Sequence, residues 1–502
     1  MSRPSPEEAR ASLSRDRWGV LIDGVAVLPD NATFFEVTDP TLGTRLADVL
    51  VADAELVDRA VQSSRAAFEE WRERAPRDRA RLLRAVAGKV RDHFDELVEL
   101  EVLEVGKPRE IAASDVTACH TRFDFFASLA DSLHGEVIDH GTLESQTVYE
   151  PYGVVAGILP FNWPPNHFAR KCAPGLAAGN TVVIKPAEQA PLTALRLAEL
   201  ANEILPPGVI NAVPGIGAGP ALVAHPLIER ISFTGATATG QRVLEGAAKN
   251  ITFTTLELGG KNALLVLEDA DLKQAVRIAI EGMFYNQGEA CTSTSRLLIH
   301  ESIYDEFLAG FTSLTLALVV GDGLDPRSHI GPMVDARHRE RVLVDLDAAL
   351  AEGAKIHAQG TVPSEGPLAG GYWVAPTILT NVDPQSTAGQ VEMFGPIASV
   401  IPFRTDDEAV EIANGTPFGL TAAICSADWT RARRLADRIH VGVVRINNYQ
   451  RGATGAPFGG VRGSGFGRDG SVETLREFVR TKSVQYPSPR GGAPYWPADL
   501  GV

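Results

Sequence analysis

"GVVAGILP" (153–160) and "NTVVIKP" (180–186) are short apolar runs separated by a helical stretch over 164–178. The alternation then repeats. A helix over 191–205 leads to "GVINAVP" (208–214), and a short helix near 219–224 leads to "RISFTG" (230–235). A helix over 237–249 follows, ending in "ITFTTLEL" (251–258). Strands joined through helices by links this short predict a parallel sheet with crossover helices, the doubly wound α/β architecture. A second series of the same kind starts at "NALLVLEDADL" (262–272) and runs to "GVVRIN" (442–447), followed by a Gly-rich 452–470. In it, Asp269 or Asp271 can cap a helix whose Leu272, Val276, Ala279, Ile280 and Met283 share one face. Upstream, residues 53–104 carry apolar residues at helical spacing. The chain therefore reads as two α/β lobes with a helical lead-in, and 491–502 reads as a tail.

Composition sets the outer limits. The chain has 502 residues, 44% apolar and 22% charged, as an ordinary globular protein of a few domains does. Its 63 acidic against 47 basic side chains leave a formal charge of −16, which argues against a nucleic-acid partner. The longest apolar runs, such as "ALLVL" (263–267), are too short to span a bilayer, and the first residues lack a secretory h-region. Cys119, Cys172, Cys291 and Cys425 are scattered, with neither a CxxC pair nor a Cys/His cluster, so no metal site and no disulfide framework is expected. A reducing cytoplasm is the expected home.

Chemistry gathers at a few places. Cys291 lies in "FYNQGEACTSTSR" (284–296), between a glycine and a run of Thr and Ser, where an accessible backbone is expected. The other three cysteines sit among small or apolar neighbours and read as structural. Glu257 ends an apolar strand just before two glycines, where a carboxylate either pairs or has its pKa raised toward that of a general base. Asn162, in "PFNWPPN" (160–166), stands between a strand end and a helix start, placed to cap or to donate to an oxyanion. "IKPAE" (184–188) and "FTGATATG" (233–240) each follow a strand, at the crevice where open α/β sheets bind ligands. Lys185 and Glu188 could hold ribose hydroxyls, and a carboxylate there would repel a 2′-phosphate, favouring NAD over NADP. Gly235 and Gly240 would let a helix N-terminus approach a pyrophosphate, although the spacing is not GxGxxG.

Together with "EMFGP" (392–396) and "PFGGVRGSGFGRDG" (457–470), these motifs resemble the NAD(P)-dependent aldehyde dehydrogenase superfamily over roughly residues 20–487. The resemblance implies a Rossmann-like cofactor domain over 1–130 and 148–256 and a catalytic domain over 257–465. It also implies a small β oligomerisation element over 131–147 and 471–490, and pairing as homodimers or homotetramers. By the same resemblance Cys291 matches the nucleophile, Glu257 the general base and Asn162 the oxyanion donor. Leu159, Lys185, Glu188, Gly235, Ala236, Gly240, Leu258, Glu392 and Phe394 match cofactor-binding positions, with NAD as cofactor. His167, Arg170, Tyr285 and Arg451 match the substrate pocket. The implied reaction oxidises an aldehyde, a small or medium polar one or an acid semialdehyde, to the free acid through a cysteine thioester. Arg170 could grip a distal carboxylate or pair with a nearby acid as structure. Glu289 replaces the usual glutamine two residues before the cysteine, and it is expected to raise the thiol pKa. Ala236 replaces the usual serine, removing one phosphate contact. Two other readings compete: a catalytically silent nucleotide-binding protein, and a cofactor-independent thiol esterase.

Overall fold

The structure is a computed structural model that describes residues 6–12, 15–449 and 453–491. One sheet has eight strands in the order Gly465–Phe466, Phe253–Glu257, Ile228–Thr234, Val154–Ile158, Thr181–Lys185, Ile210–Ala212, Val20–Ile22, Val25–Val27. Its five central strands run parallel, and both edges are antiparallel additions. The chain enters at Val154–Ile158, steps outward through two strands, then returns to lay Ile228–Thr234 on its other side. That reversal is a topological switch point, and it opens a crevice beyond the carboxyl ends of the two strands. The second sheet has seven strands, from Lys355–Gln359 at one edge to Val443–Ile446 at the other, parallel except at the first. Two doubly wound α/β layers are thus present, as the strand–helix alternation implies.

The helix Pro164–Ala178 shows why the local reading succeeds. Two prolines open it, where their missing N–H groups cost nothing, and Gly179 closes it at φ 97. Asn180 then locks its end. The buried Asn180 side chain accepts from Gly153 N at 3.1 Å and donates to the carbonyls of Gly175 at 3.1 Å and Phe478 at 2.8 Å. Asp271, rather than Asp269, caps the helix Leu272–Phe284 by accepting from Gln274 N; Asp269 instead accepts from Ser426 and Asp428.

Other elements depart from the sequence reading. Residues 17–50, which it left without structure, form strands, including a three-stranded sheet of Arg17–Trp18, Thr44–Leu50 and Phe34–Asp39. Helix continues past 104 as Arg109–Leu129, whose buried face carries Asp115 and Arg122 among its apolar residues. The small sheet of Val137–Asp139, Leu143–Pro151 and Val479–Pro487 carries its middle strand to Pro151, past the expected boundary at 147. Arg451 and the segment 492–502 lie outside the described residues. Among the described residues no helix is long and apolar enough to cross a membrane, and no His/Cys/Asp/Glu cluster could hold a metal ion.

Asn180→Ala strands the buried Gly153 N–H and removes the side-chain donor to the Phe478 carbonyl, so urea unfolding should show a loss of about 2–4 kcal/mol.

Candidate active site

Cys291 is delivered by a backbone turn rather than by a helix. After Phe284 the chain passes through Asn286, Gln287 and Gly288, all left-handed at φ 52, 48 and 76. Non-glycine residues rarely take this conformation, and two in succession must be held there by their surroundings. Asn286 helps hold the turn by donating to the Glu289 carbonyl at 2.9 Å and to the Asn162 carbonyl at 3.4 Å. A side chain at Gly288 would run into the Gly395 carbonyl, 2.4 Å away. Downstream, Asn262 of "LELGGKN" donates to the carbonyls of Cys291 at 2.8 Å and Ser293 at 2.9 Å. The thiol itself is half-buried, while Cys119, Cys172 and Cys425 are buried.

Asn162 meets this turn from the other sheet. Its Nδ2 donates to the Glu289 carbonyl at 3.0 Å, and its Oδ1 is buried without a partner. Its own carbonyl accepts from Lys107 Nζ at 2.7 Å. Lys107, which the sequence reading missed, is fully buried; it also donates to Glu101 at 2.5 Å and lies 4.0 Å over the Trp163 ring.

Glu257 ends its strand in register with Thr234, and its backbone carbonyl accepts from Gly235 N at 3.0 Å. The carboxylate and the glycine turn are therefore fixed to each other. Glu257 Oε1 is buried and unpartnered, and burial raises its pKa well above the usual range. Asp469 raises it further, while Arg170, Lys171 and Arg468 pull it back. Burial pushes the Cys291 thiol up to about 12, with Arg170 and Arg445 opposing and the carboxylates of Glu257 and Glu392 adding to the shift. Sulfur, Glu257 and Glu392 thus share one electrostatic neighbourhood.

Glu289 does not act as its sequence position suggests. The left-handed turn points its carboxylate away from the sulfur, to Val334 N at 3.0 Å, Gln287 Nε2 at 3.1 Å and His338 Nε2 at 3.4 Å. Burial pushes Glu289 up to about 8, and the main causes of the thiol's shift are burial, Arg170, Glu257, Glu392 and Arg445 rather than Glu289.

The crevice residues expected to hold a dinucleotide gather at the switch point. Leu159 N donates to the Lys185 carbonyl at 3.0 Å, and Lys185 Nζ pairs with Glu188. Ala236 is the N-cap of the helix Thr237–Ala247, which has neither a side-chain cap nor an acidic residue in its first turn. A Cβ on Gly240 would lie 2.6 Å from the tip of the Leu258 side chain, so glycine lets the helix and Leu258 approach closely there. Glu392 comes so close to Gly259 that any side chain at 259 would collide with its carboxylate; Glu392 Oε1 accepts from Gly260 N at 2.8 Å. Phe394 follows at φ 56.

A cavity of about 140 Å³ reaches Cys291 and Thr292 and is lined by His167, Arg170, Tyr285, Trp163 and Phe458, among others. Tyr285 stacks on Trp163 at 5.4 Å. His167 Nδ1 is buried without a partner, and burial holds its pKa well below the usual value. Arg170 lines the cavity while pairing with Asp469 at 3.5 Å, and its guanidinium lies 4.8 Å over the Phe458 ring. Asp115 and Arg122, from the unanticipated helix Arg109–Leu129, complete the wall. Helical spacing continuing beyond "GKP" (106–108) was the available signal for them.

The aldehyde dehydrogenase family matches residues 27–484. The chain is 44% identical over 475 residues to aldehyde dehydrogenase citD of Monascus ruber, covering 94% of this chain and 95% of that one. Among solved structures it is similar to betaine aldehyde dehydrogenase from Staphylococcus aureus in complex with NAD+ (TM-score 0.92, 36% identity, 95% of each chain). It is also similar to PnpE from Pseudomonas sp. WBC-3 (TM-score 0.93, 39% identity, 96% of this chain and 99% of that one). The chain belongs to the aldehyde dehydrogenase family.

Glu289 keeps a proton in the fold up to about pH 8 that it loses in the unfolded chain near pH 4.5. The native state therefore binds more protons across that window, and stability falls as pH rises through it. Glu289→Gln should gain stability on wild type as pH climbs from 5 to 8, read by urea unfolding. It should leave the pH dependence of Cys291 alkylation unshifted.

Proposed function

We propose that the chain is an NAD-dependent dehydrogenase converting an aldehyde to the free carboxylic acid, with Cys291 as nucleophile, Asn162 as oxyanion donor and Glu257 as general base. The observation that carries this reading is the half-buried sulfur sharing its electrostatic neighbourhood with Glu257 and Glu392, beside a switch-point crevice. The residues present suit a dinucleotide: Lys185 and Glu188 for the adenosine ribose, and the uncapped helix start at Gly235, Ala236 and Gly240 for the pyrophosphate. Leu159 and Leu258 are apolar neighbours, and Glu392 and Phe394 serve the nicotinamide end. The Glu188 carboxylate favours NAD over NADP. Bound NAD supplies the acceptor for the hydride that leaves the reacting carbon.

The chain's own groups do the rest. Cys291 gives its proton to water, and the thiolate bonds to the aldehyde carbon, moving the carbonyl π pair onto oxygen and making the carbon tetrahedral. An N–H of Asn162 steadies the oxyanion, a contribution typically worth about 3 kcal/mol. With the hydride gone, a thioester remains on Cys291. Glu257, made more basic by burial, takes a proton from water; the hydroxide adds to the carbonyl, the carbon–sulfur bond breaks, and the acid leaves.

For the substrate we favour a small or medium polar aldehyde or an acid semialdehyde. A cavity of this size suits a compact ligand, since an apolar cavity of about 150 Å³ takes benzene. A cationic substrate such as betaine aldehyde is disfavoured. The aromatic faces that would hold a quaternary ammonium already carry Lys107 (on Trp163) and Arg170 (on Phe458).

We further propose a cofactor lobe over 1–130 and 148–256, a catalytic lobe over 257–465, and homodimers or homotetramers formed through 131–147 and 471–490. Exposed apolar residues on that small sheet, Val137, Ile138 and Val484, support the pairing.

Cys291→Ala should lower NADH formation with any aldehyde by at least about a thousandfold while leaving NAD binding by calorimetry intact. An unaltered rate would contradict the assignment. Betaine aldehyde should be oxidised with kcat/KM at least about tenfold below that of an uncharged aldehyde of similar size.

A further inference from the structure

One charge in the cavity that reaches Cys291 lacks a counter-ion. Ser114, Asp115, Ala118 and Arg122 line that cavity from a single stripe of the helix Arg109–Leu129. Arg122 is 5% exposed. Its Nε donates to the Asn166 amide oxygen at 2.6 Å, and its Nη1 is buried without an acceptor. Among the described residues it forms no ion pair. Asp115 and Asp469 act on it electrostatically, but Asp115 stands 3.8 Å from Lys107, and Asp469 is shared by Arg170 at 3.5 Å and Lys171 at 3.3 Å. A neutral amide satisfies the direction of one N–H without answering the charge, and a guanidinium taken out of water is strongly disfavoured until an anion faces it.

The neighbours deepen the imbalance. Arg170 lines the same cavity, is close enough to act on Arg122 by charge repulsion, and has its own Nε buried without an acceptor. Arg122 therefore brings to the cavity a guanidinium fork of the kind matched to a two-oxygen anion, while Arg170 keeps its pair with Asp469. Burial lowers Arg122 only to about 9, so it stays cationic at neutral pH.

Resting on the proposed function, we infer that Arg122, with Arg170 beside it, is the specificity-determining anchor for a carboxylate at the far end of the aldehyde. The substrate class is then an ω-oxo acid short enough for its carboxylate to sit on the Arg109–Leu129 wall while its carbonyl meets Cys291. A carboxylate there would answer the charge of Arg122 and offset its repulsion with Arg170, which an uncharged chain of equal length would not.

The test compares succinic, glutaric and adipic semialdehydes with butanal, pentanal and hexanal in wild type, Arg122→Gln and Arg122→Lys. Wild type should prefer at least one acid over its uncharged match. Arg122→Gln should lower that acid-to-uncharged ratio of kcat/KM by about 30-fold or more, chiefly through KM, as expected for losing a charged hydrogen-bond partner. Arg122→Lys should restore part of it, by supplying charge without the fork. A wild type that prefers the uncharged series, or an Arg122→Gln variant whose losses are equal in both series, would overturn the inference.

Wild type alone gives a second readout that needs no variant to fold. Glutarate should slow iodoacetamide alkylation of Cys291 and compete with the aldehyde, whereas 1,5-pentanediol should do neither. No protection by glutarate would overturn the inference. Failure of the dehydrogenase reading would look different, because no aldehyde of either series would reduce NAD whatever glutarate did to the thiol.

Discussion

The bond from Asn162 Nδ2 to the Glu289 carbonyl, at 3.0 Å, is the contact on which the rest of the site depends. It joins the loop after the entry strand of the eight-stranded sheet to the turn that carries Cys291. Neither partner is free to drift. Lys107 and Asn286 both grip the Asn162 carbonyl, and Asn286 also grips that of Glu289. Each of these groups is buried, so breaking any one contact would leave polar atoms without water or partner. That is how a sequence tolerates Asn286 and Gln287 in left-handed backbone shortly before Cys291. The strain is local, and the network holding it spans both sheets.

Charge placement is the second organising feature. Lys107, Arg122, Arg170 and Lys171 gather with Glu101, Asp115, Glu257 and Asp469 at the base of the cavity, nearly all of them removed from solvent. Burial makes the carboxyls of Glu101, Asp115 and Glu257 reluctant to ionise, while Asp469, held by Lys171 and Arg170, is pulled the other way. The base of the cavity is therefore more cationic than a count of acids and bases implies. A site of this kind fits the roles proposed above, in which the oxyanion is steadied and Glu257 acts as the base.

Much of this was legible in the sequence where local chemistry decides the conformation. The helix over 164–178 could be bounded from Pro164, Pro165 and Gly179 alone, and the parallel order followed from short links between apolar strands. Glu257, Asn162 and Cys291 stood out because each is a polar residue at an abrupt end of an apolar or helical pattern. What stayed hidden was direction and partnership. Glu289 sits two residues from Cys291, yet its carboxylate faces Val334, because the turn through Asn286 and Gln287 rotates the chain. Lys107, Asp115 and Arg122 went unnoticed because a charged residue in or after a helical pattern gives no sign that it is buried, as all three are. The strands of 17–50 are short, and although two pairs of them are local hairpins, their places in the sheets come from non-local pairings such as Leu21 with Ala212 and Arg17 with Asp48.

The account stands on a covalent bond at one sulfur and its release by one carboxylate. The most direct measurement is intact-mass spectrometry of Glu257→Gln enzyme quenched in acid after mixing with NAD and an aldehyde. The account predicts an adduct on Cys291 equal to the aldehyde's mass less two hydrogens, accumulating as the first turnover's NADH appears. Continued turnover at the wild-type rate with Cys291 unmodified would contradict it.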